Sequence, residues 1–255
     1  MRYVNIEFIK LQRSLAWAVV ILLPVIAVAS GSMSSLAADS GLDDGWHTLW
    51  IRSIGFYGMA LLPVGIAILA SLIWRTEHRN GNWNALMSTS VPTSTTVLSK
   101  TAAVAVLSAL MQIVLVLTVV GFGKILFDLP GMLPPQYLMS SVLVIIACVP
   151  VAALQSGLST FFRSFAAPVA IALVATGIST TALLVDISAV IAVPYATATY
   201  ATQLGTSLVE ASNTSFDAAG ISVGTAGLVA AVSSAATAVI VIVTTWILNR
   251  SDTRA

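Results

Sequence analysis

Charge is what this chain has least of. Of its 255 residues, 8% are Asp, Glu, Lys or Arg, 58% are hydrophobic, and the mean hydropathy is +0.97. A soluble domain carries roughly 25% charged residues, so that class is excluded. The single cysteine, Cys148, rules out a disulfide within the chain and reads as a small packing residue. There are two histidines, His47 and His78, expected on opposite sides of a membrane, which leaves no metal pair and no Ser/His dyad. A phosphate-cradling loop is also missing. The only Gly-Lys, Gly123-Lys124, has Thr118 where the first glycine belongs and Ile125 where Ser or Thr belongs. No catalytic residue, metal site or bound cofactor is therefore expected in this chain.

Long apolar stretches fill the space that charge leaves. At ~1.5 Å per helical residue and ~30 Å of hydrocarbon, about 20 residues make one crossing. Six stretches qualify, near 15–33, 54–73, 101–121, 138–157, 166–187 and 221–248. Each is continuous rather than alternating, which selects helices over barrel strands. The expected fold is all-α: a polytopic membrane protein of six transmembrane helices. In the interior of these stretches there is no Asp, Glu, His, Lys or Arg, Asp186 standing at the outer end of the fifth, so an ion-coupled pump or a charged filter has nothing to be built from.

Charge placement predicts both termini on the cytoplasmic side. Arg2, Lys10, Arg13, Arg75, Arg79, Lys100, Arg163, Arg250 and Arg254 then lie inside, with only Arg52 and Lys124 outside. Residues 1–14 are set apart by Val4, Phe8, Leu11 and Leu15 at helical spacing, with Arg2, Lys10 and Arg13 off that stripe. That pattern predicts an amphipathic helix on the inner membrane surface, followed by one six-helix domain over 15–255. The competing reading is a signal peptide ending near Ala27-Val28-Ala29; Glu7 and the facial order favour a retained helix.

Several in-span polar residues invite two readings. Ser108 and Gln112, then Gln155, then Thr176, Ser179 and Thr180 either line a substrate path or hydrogen-bond between packed helices. Gly220-Ile221-Ser222-Val223-Gly224 matches a nucleophile-elbow pattern but opens an apolar helix, so it is read as a small-residue packing face. Prolines 24, 63 and 150 are expected to kink their helices.

The segment 74–100, WRTEHRNGNWNALMSTSVPTSTTVLSK, is the most structured-looking stretch outside the spans. Gly81 permits a turn, residues 82–87 are expected to form one or two helical turns presenting Trp83, Leu86 and Met87, and Pro92 would stop them. An interfacial anchor would explain the tryptophan. A docking helix for a cytoplasmic protein would also give the Glu77 and Arg79 charges a partner.

In this order of Glu77, Gly81, short helix, Pro92 and Lys100, together with the N-terminal helix and six spans, the chain resembles the permease subunits of type-2 ABC exporters, especially the branch linked to lantibiotic and peptide-antibiotic protection. The resemblance implies a multi-pass protein of the bacterial plasma membrane. It implies that Glu77, Arg79, Gly81, Trp83, Leu86, Met87 and Pro92 couple to a cytoplasmic ABC ATPase dimer, with Arg163 in a second, smaller contact. ATP and magnesium would bind on that partner. A second permease chain, identical or homologous, would complete the path, and membrane lipid would be the other partner; nucleic acid would have no part. The implied cargo is amphipathic or lipophilic, such as an antimicrobial peptide. Where many members have threonine after the glycine, this chain has Asn82. The resemblance also suggests a surface or re-entrant helix within 187–200. The alternative function is a membrane sensor or assembly subunit that holds a cytoplasmic protein without transporting anything.

Overall fold

The computed structural model describes residues 2–11, 14–37, 42, 45–78, 91–206 and 220–252. Among them there is no strand. A short helix α1 (Arg2–Leu11) precedes α2 (Ala16–Ala37). Helix α3 (Trp46–Phe56) runs through a π-helical turn, Tyr57–Leu61, into α4 (Leu62–His78). Then come α5 (Thr93–Ile125), α6 (Pro135–Phe161) and α7 (Ala166–Leu184). A 3-10 turn (Ser188–Ala192) leads to α8 (Pro194–Gln203), and α9 (Val223–Asp252) ends the described chain.

Six helical stretches are long and apolar enough to cross a membrane: Ala16–Ser34, Trp46–His78, Thr93–Ile125, Pro135–Phe161, Ala166–Leu184 and Val223–Arg250. Their number and order agree with the hydropathy reading, but three are longer than their apolar runs, the second and third most of all. The second and third have 33 residues each, or ~50 Å of helix against ~30 Å of hydrocarbon. Their end turns therefore carry charge: His47 and Arg52 at one end of the second and Arg75, Glu77 and His78 at the other, with Lys100 and Lys124 near the two ends of the third. The apolar middles stay free of charge, and the charged residues lie in the turns that extend the helices beyond them.

Helix α6 is the hub, packing against α4, α5, α7, α8 and α9. Its inner face is small (Ala147, Cys148, Ala152, Gly157), which lets neighbours come close. The buried, unpaired Cys148 fits the packing role. At the far end, Trp46 donates to the Pro130 carbonyl (2.8 Å), and Trp50 stacks on Tyr137 with centroids 5.0 Å apart. His47 Nδ1 meets the Tyr137 hydroxyl. By contrast α9 leaves most of its apolar surface uncovered, only 11% of its span being buried.

Some local readings change. Leu15, expected on the stripe of the first helix, lies beyond its end and is 70% exposed. Ser222 caps α9 by accepting from the Thr225 N–H (3.0 Å), and neither Gly220 nor Gly224 is pressed by another helix. The Gly-x-Ser-x-Gly stretch is thus a helix start rather than a packing face. Pro63 is the second residue of α4, just past the π-turn. In place of the surface or re-entrant helix expected within 187–200, the chain forms the 3-10 turn and then α8, which runs on to Gln203 and is buried against the bundle, Tyr195 included.

Basic residues sort by end. Lys10, Arg75, Lys100, Arg163 and Arg250 gather where α1, the end of α4 and the start of α5 meet, whereas Arg52 and Lys124 lie at the opposite end. At Gly31 two helices approach backbone to backbone: a Cβ would come within 2.7 Å of the Arg52 carbonyl carbon and 2.9 Å of the Ser53 nitrogen. Because backbone cannot step aside, Gly31→Ala should cost about 1–3 kcal/mol, whereas Gly121→Ala, with nothing within 4 Å, should be neutral or stabilising. Thermal unfolding of the two variants in detergent checks this, and equal melting temperatures would contradict it.

Candidate functional site

The last two turns of α4 carry two differently equipped sides. Ser71, Arg75 and His78 recur at i, i+4 and i+7 on one, and Glu77 lies round the helix from them, with Trp74 between. Each side meets a different set of helices.

On the Glu77 side, four charged groups from three helices close into a cluster. Lys100 of α5, whose side chain is 0% exposed, donates to Glu7 Oε2 of α1 and to Glu77 Oε1, both at 3.0 Å. Lys10 also donates to Glu77 Oε1 (2.8 Å) and lies 3.5 Å from Glu7 Oε1. Two carboxylates and two ammonium groups balance. The Trp74 ring sits 4.9 Å from Lys100 Nζ, its electron-rich face adding to the cage. Burial works against the Lys10 ammonium, yet its hydrogen bond to Glu77 and the charges of Glu7 and Glu77 outweigh it and hold its pKa above the ordinary value. A raised folded pKa means that this contribution is complete below the unfolded value of about 10.4 and is lost only as pH climbs beyond it. The part that Lys10 plays in the fastening is therefore constant throughout the physiological range.

On its other flank α4 is tied to α6. Trp74 donates to Ser156 Oγ (2.8 Å), Ser71 and Ser159 hydroxyls meet at 3.3 Å, and His78 donates from Nε2 to the Ser159 carbonyl (2.9 Å). The end of α4 is thus gripped by ions from α1 and α5 and by hydrogen bonds from α6.

Glu77, expected to show its charge to another protein, is 5% exposed and has that charge satisfied within the chain. Pro92 is the N-cap residue of α5, its carbonyl accepting from the Thr95 N–H at 2.9 Å. Arg79, Gly81, Trp83, Leu86 and Met87 lie outside the described residues. Arg163 is exposed in the turn between α6 and α7. The polar residues read as a possible path are spread over separate seams: Gln112 donates to Ser141 across α5 and α6 (3.1 Å), and Gln155 donates to Tyr195 across α6 and α8 (2.5 Å). Ser108 and Thr176 donate to carbonyls of their own helices. Ser179 is buried, and the Thr180 hydroxyl has no hydrogen-bond partner among the described residues.

Sequence reasoning missed the role of Glu7 and Lys10. A signal was there: Glu7 falls three residues after Val4 and four before Leu11, beside the apolar stripe rather than opposite it. A carboxylate at that place needs a cation on whatever the helix packs against.

Removing one member should expose the cost of the rest. Lys100→Met leaves two buried carboxylates to one lysine, and about 3–5 kcal/mol should be lost. Adding Glu77→Gln restores neutrality, because Glu7 keeps Lys10, and should recover much of it. Detergent-resistant unfolding of the wild type, single and double variants measures this; a double variant no better than Lys100→Met would refute the charge-balance account.

Residues 3–179 match the family model described as ABC-2 family transporter protein, more than two thirds of the chain and all four members of the ion cluster. No curated protein and no solved structure matches.

Proposed function

The chain belongs to the ABC-2 family of transporter proteins, and on that premise we propose that it is the permease subunit of an ATP-driven exporter whose ATP is hydrolysed by separate cytoplasmic subunits. The observation that carries the reading is the ion cluster. It fastens α1 to the end of α4 and the start of α5, the two helices that flank residues 79–92. A push on that segment reaches α4 and α5 together with α1, since moving either helix alone would pull buried charges apart. A structural element that cannot yield piecemeal is what a motor outside the membrane needs in order to move helices within it.

In this reading the end that collects Lys10, Arg75, Lys100, Arg163 and Arg250 faces the cytoplasm, following the positive-inside rule. Helix α1 then lies at the inner surface, and Trp83, Leu86 and Met87 supply the apolar edge that enters the ATPase. Phosphoryl transfer takes place wholly on the partner, whose ATP and magnesium this chain does not hold. The uncovered apolar flanks of α7 and α9, with 22% and 11% of their spans buried, are what a second permease chain and lipid would cover. An amphipathic or lipophilic cargo, an antimicrobial peptide among the candidates, suits spans whose middles carry no charge. A plasma-membrane protein of a bacterium fits all of this.

Replacing Trp83 by Ala tests the docking. Loss of an aromatic anchor worth ~2 kcal/mol should weaken ATPase association by roughly 30-fold, with the permease still folded in the membrane. Copurification with the ATPase and cargo-stimulated ATP turnover are the readouts. Unchanged values for both would remove the segment from the mechanism, and retained docking without any cargo effect on turnover would favour a non-transporting subunit.

A further inference from the structure

We propose that the second side of the α4 end forms a headgroup site for an anionic phospholipid in the leaflet at the α1 end. A cavity of about 160 Å³ opens there between α4, α6 and α7, lined by Arg75, His78, Ser159, Phe162, Arg163 and Phe165. Its volume equals about five waters, room for a phosphate with its nearest substituents. The lining contains two guanidinium groups and an imidazole and no carboxylate among the described residues. Glu77, next to His78 in sequence, is turned to the other side and held by two lysines. Neither Arg75 nor Arg163 has an ion pair among the described residues, and both are exposed. The α7 N-terminus, which has no side-chain cap, ends beside the cavity and adds the positive end of its dipole. Ser71 and Ser164 bring hydroxyls.

Height and surroundings separate a lipid from other anions. The turn 162–165 joins the end of one apolar span, Pro135–Phe161, to the start of the next, Ala166–Leu184, so the cavity lies where hydrocarbon gives way to headgroups. Around it Phe161, Phe162 and Phe165 are 44%, 42% and 42% exposed. Aromatic faces beside the arginines suit acyl chains continuing from a held phosphate, whereas a soluble anion has no use for them. Basic pockets between transmembrane helices at this level favour anionic headgroups. The occupant is thus a phosphodiester lipid with net negative charge, and Arg163 belongs to it rather than to a cytoplasmic protein.

The test uses the full chain in detergent and reads bound lipid by native mass spectrometry, with phosphatidylglycerol and phosphatidylcholine offered in equal amounts. Wild-type protein should retain phosphatidylglycerol preferentially. Each arginine near an anionic leaflet carries roughly a fivefold factor, so R75Q/R163Q should lose about 30-fold of that preference. R75K/R163K should keep part of it. R250Q removes one positive charge at the same end of the bundle, where Arg250 lies over the Trp246 ring (3.9 Å) and does not line the cavity, and should leave the preference intact. Circular dichroism confirms that the variants are folded. Equal retention of the two lipids, a preference surviving R75Q/R163Q, or displacement of phosphatidylglycerol by millimolar inorganic phosphate would overturn the proposal. So would a double variant that loses its ATPase partner while keeping its lipid. That outcome assigns the arginines to protein docking and leaves the permease reading standing, whereas failure of the Trp83→Ala test would leave the lipid result untouched.

Discussion

A lysine ammonium buried out of reach of water must be answered by negative charge, and Lys100 is answered twice, from two other helices. That requirement organises one end of the molecule. A buried ion pair adds little net stability, because desolvation consumes most of the attraction; what it does supply is exclusivity, since any arrangement that separates the partners leaves a naked charge. Four charges shared among α1, α4 and α5 therefore specify which helices meet and at what height. Hydrogen bonds from Ser156 and Ser159 then fix α4 against the hub helix. The N-terminal helix, attached to the bundle chiefly through α5 and these ions, is held by the same constraint.

The division of labour along α4 follows from its periodicity. Glu77 and the Ser71, Arg75, His78 row point in different directions, so one helix end serves a neutral, locked cluster and an open, cationic cleft without the carboxylate cancelling the arginines. Both lie within the stretch that matches the ABC-2 transporter family, residues 3–179, while α8 and α9 fall outside it. The locked side suits the transmission of movement between helices; the open side suits an occupant that comes from the membrane.

Much of the architecture was legible in the sequence because a continuous apolar stretch of span length has few alternatives. The six crossings, the separate first helix and the sorting of basic residues to one end all follow from hydropathy, 3.6-residue periodicity and charge. What could not be read were the ends of helices. Hydropathy falls where charge begins, so the second and third spans looked short, although α4 and α5 continue past Arg75 and start before Lys100. Partners distant in sequence were equally hidden: Glu7 and Lys100 are 93 residues apart, and only tertiary packing brings them together. Gln112 and Gln155 were recognised as polar in-span residues, but their partners Ser141 and Tyr195 depend on which helices adjoin α6. The two sides of the α4 end were written in its spacing throughout.

The π-turn at Tyr57–Leu61 sets the angle between the halves of the second crossing. There the Leu62 N–H reaches the Tyr57 carbonyl, five residues back, so the turn holds one residue more than ordinary helix. Each helical residue turns the chain by about 100°. Without that extra residue, a straight continuation of α3 would swing Glu77 about a quarter-turn off its lysines while the aromatic contacts at Trp50 and Tyr137 stayed in place. The azimuth at which this rod presents its charge is thus fixed some four turns upstream, at a spot where Gly58 lies against Thr202.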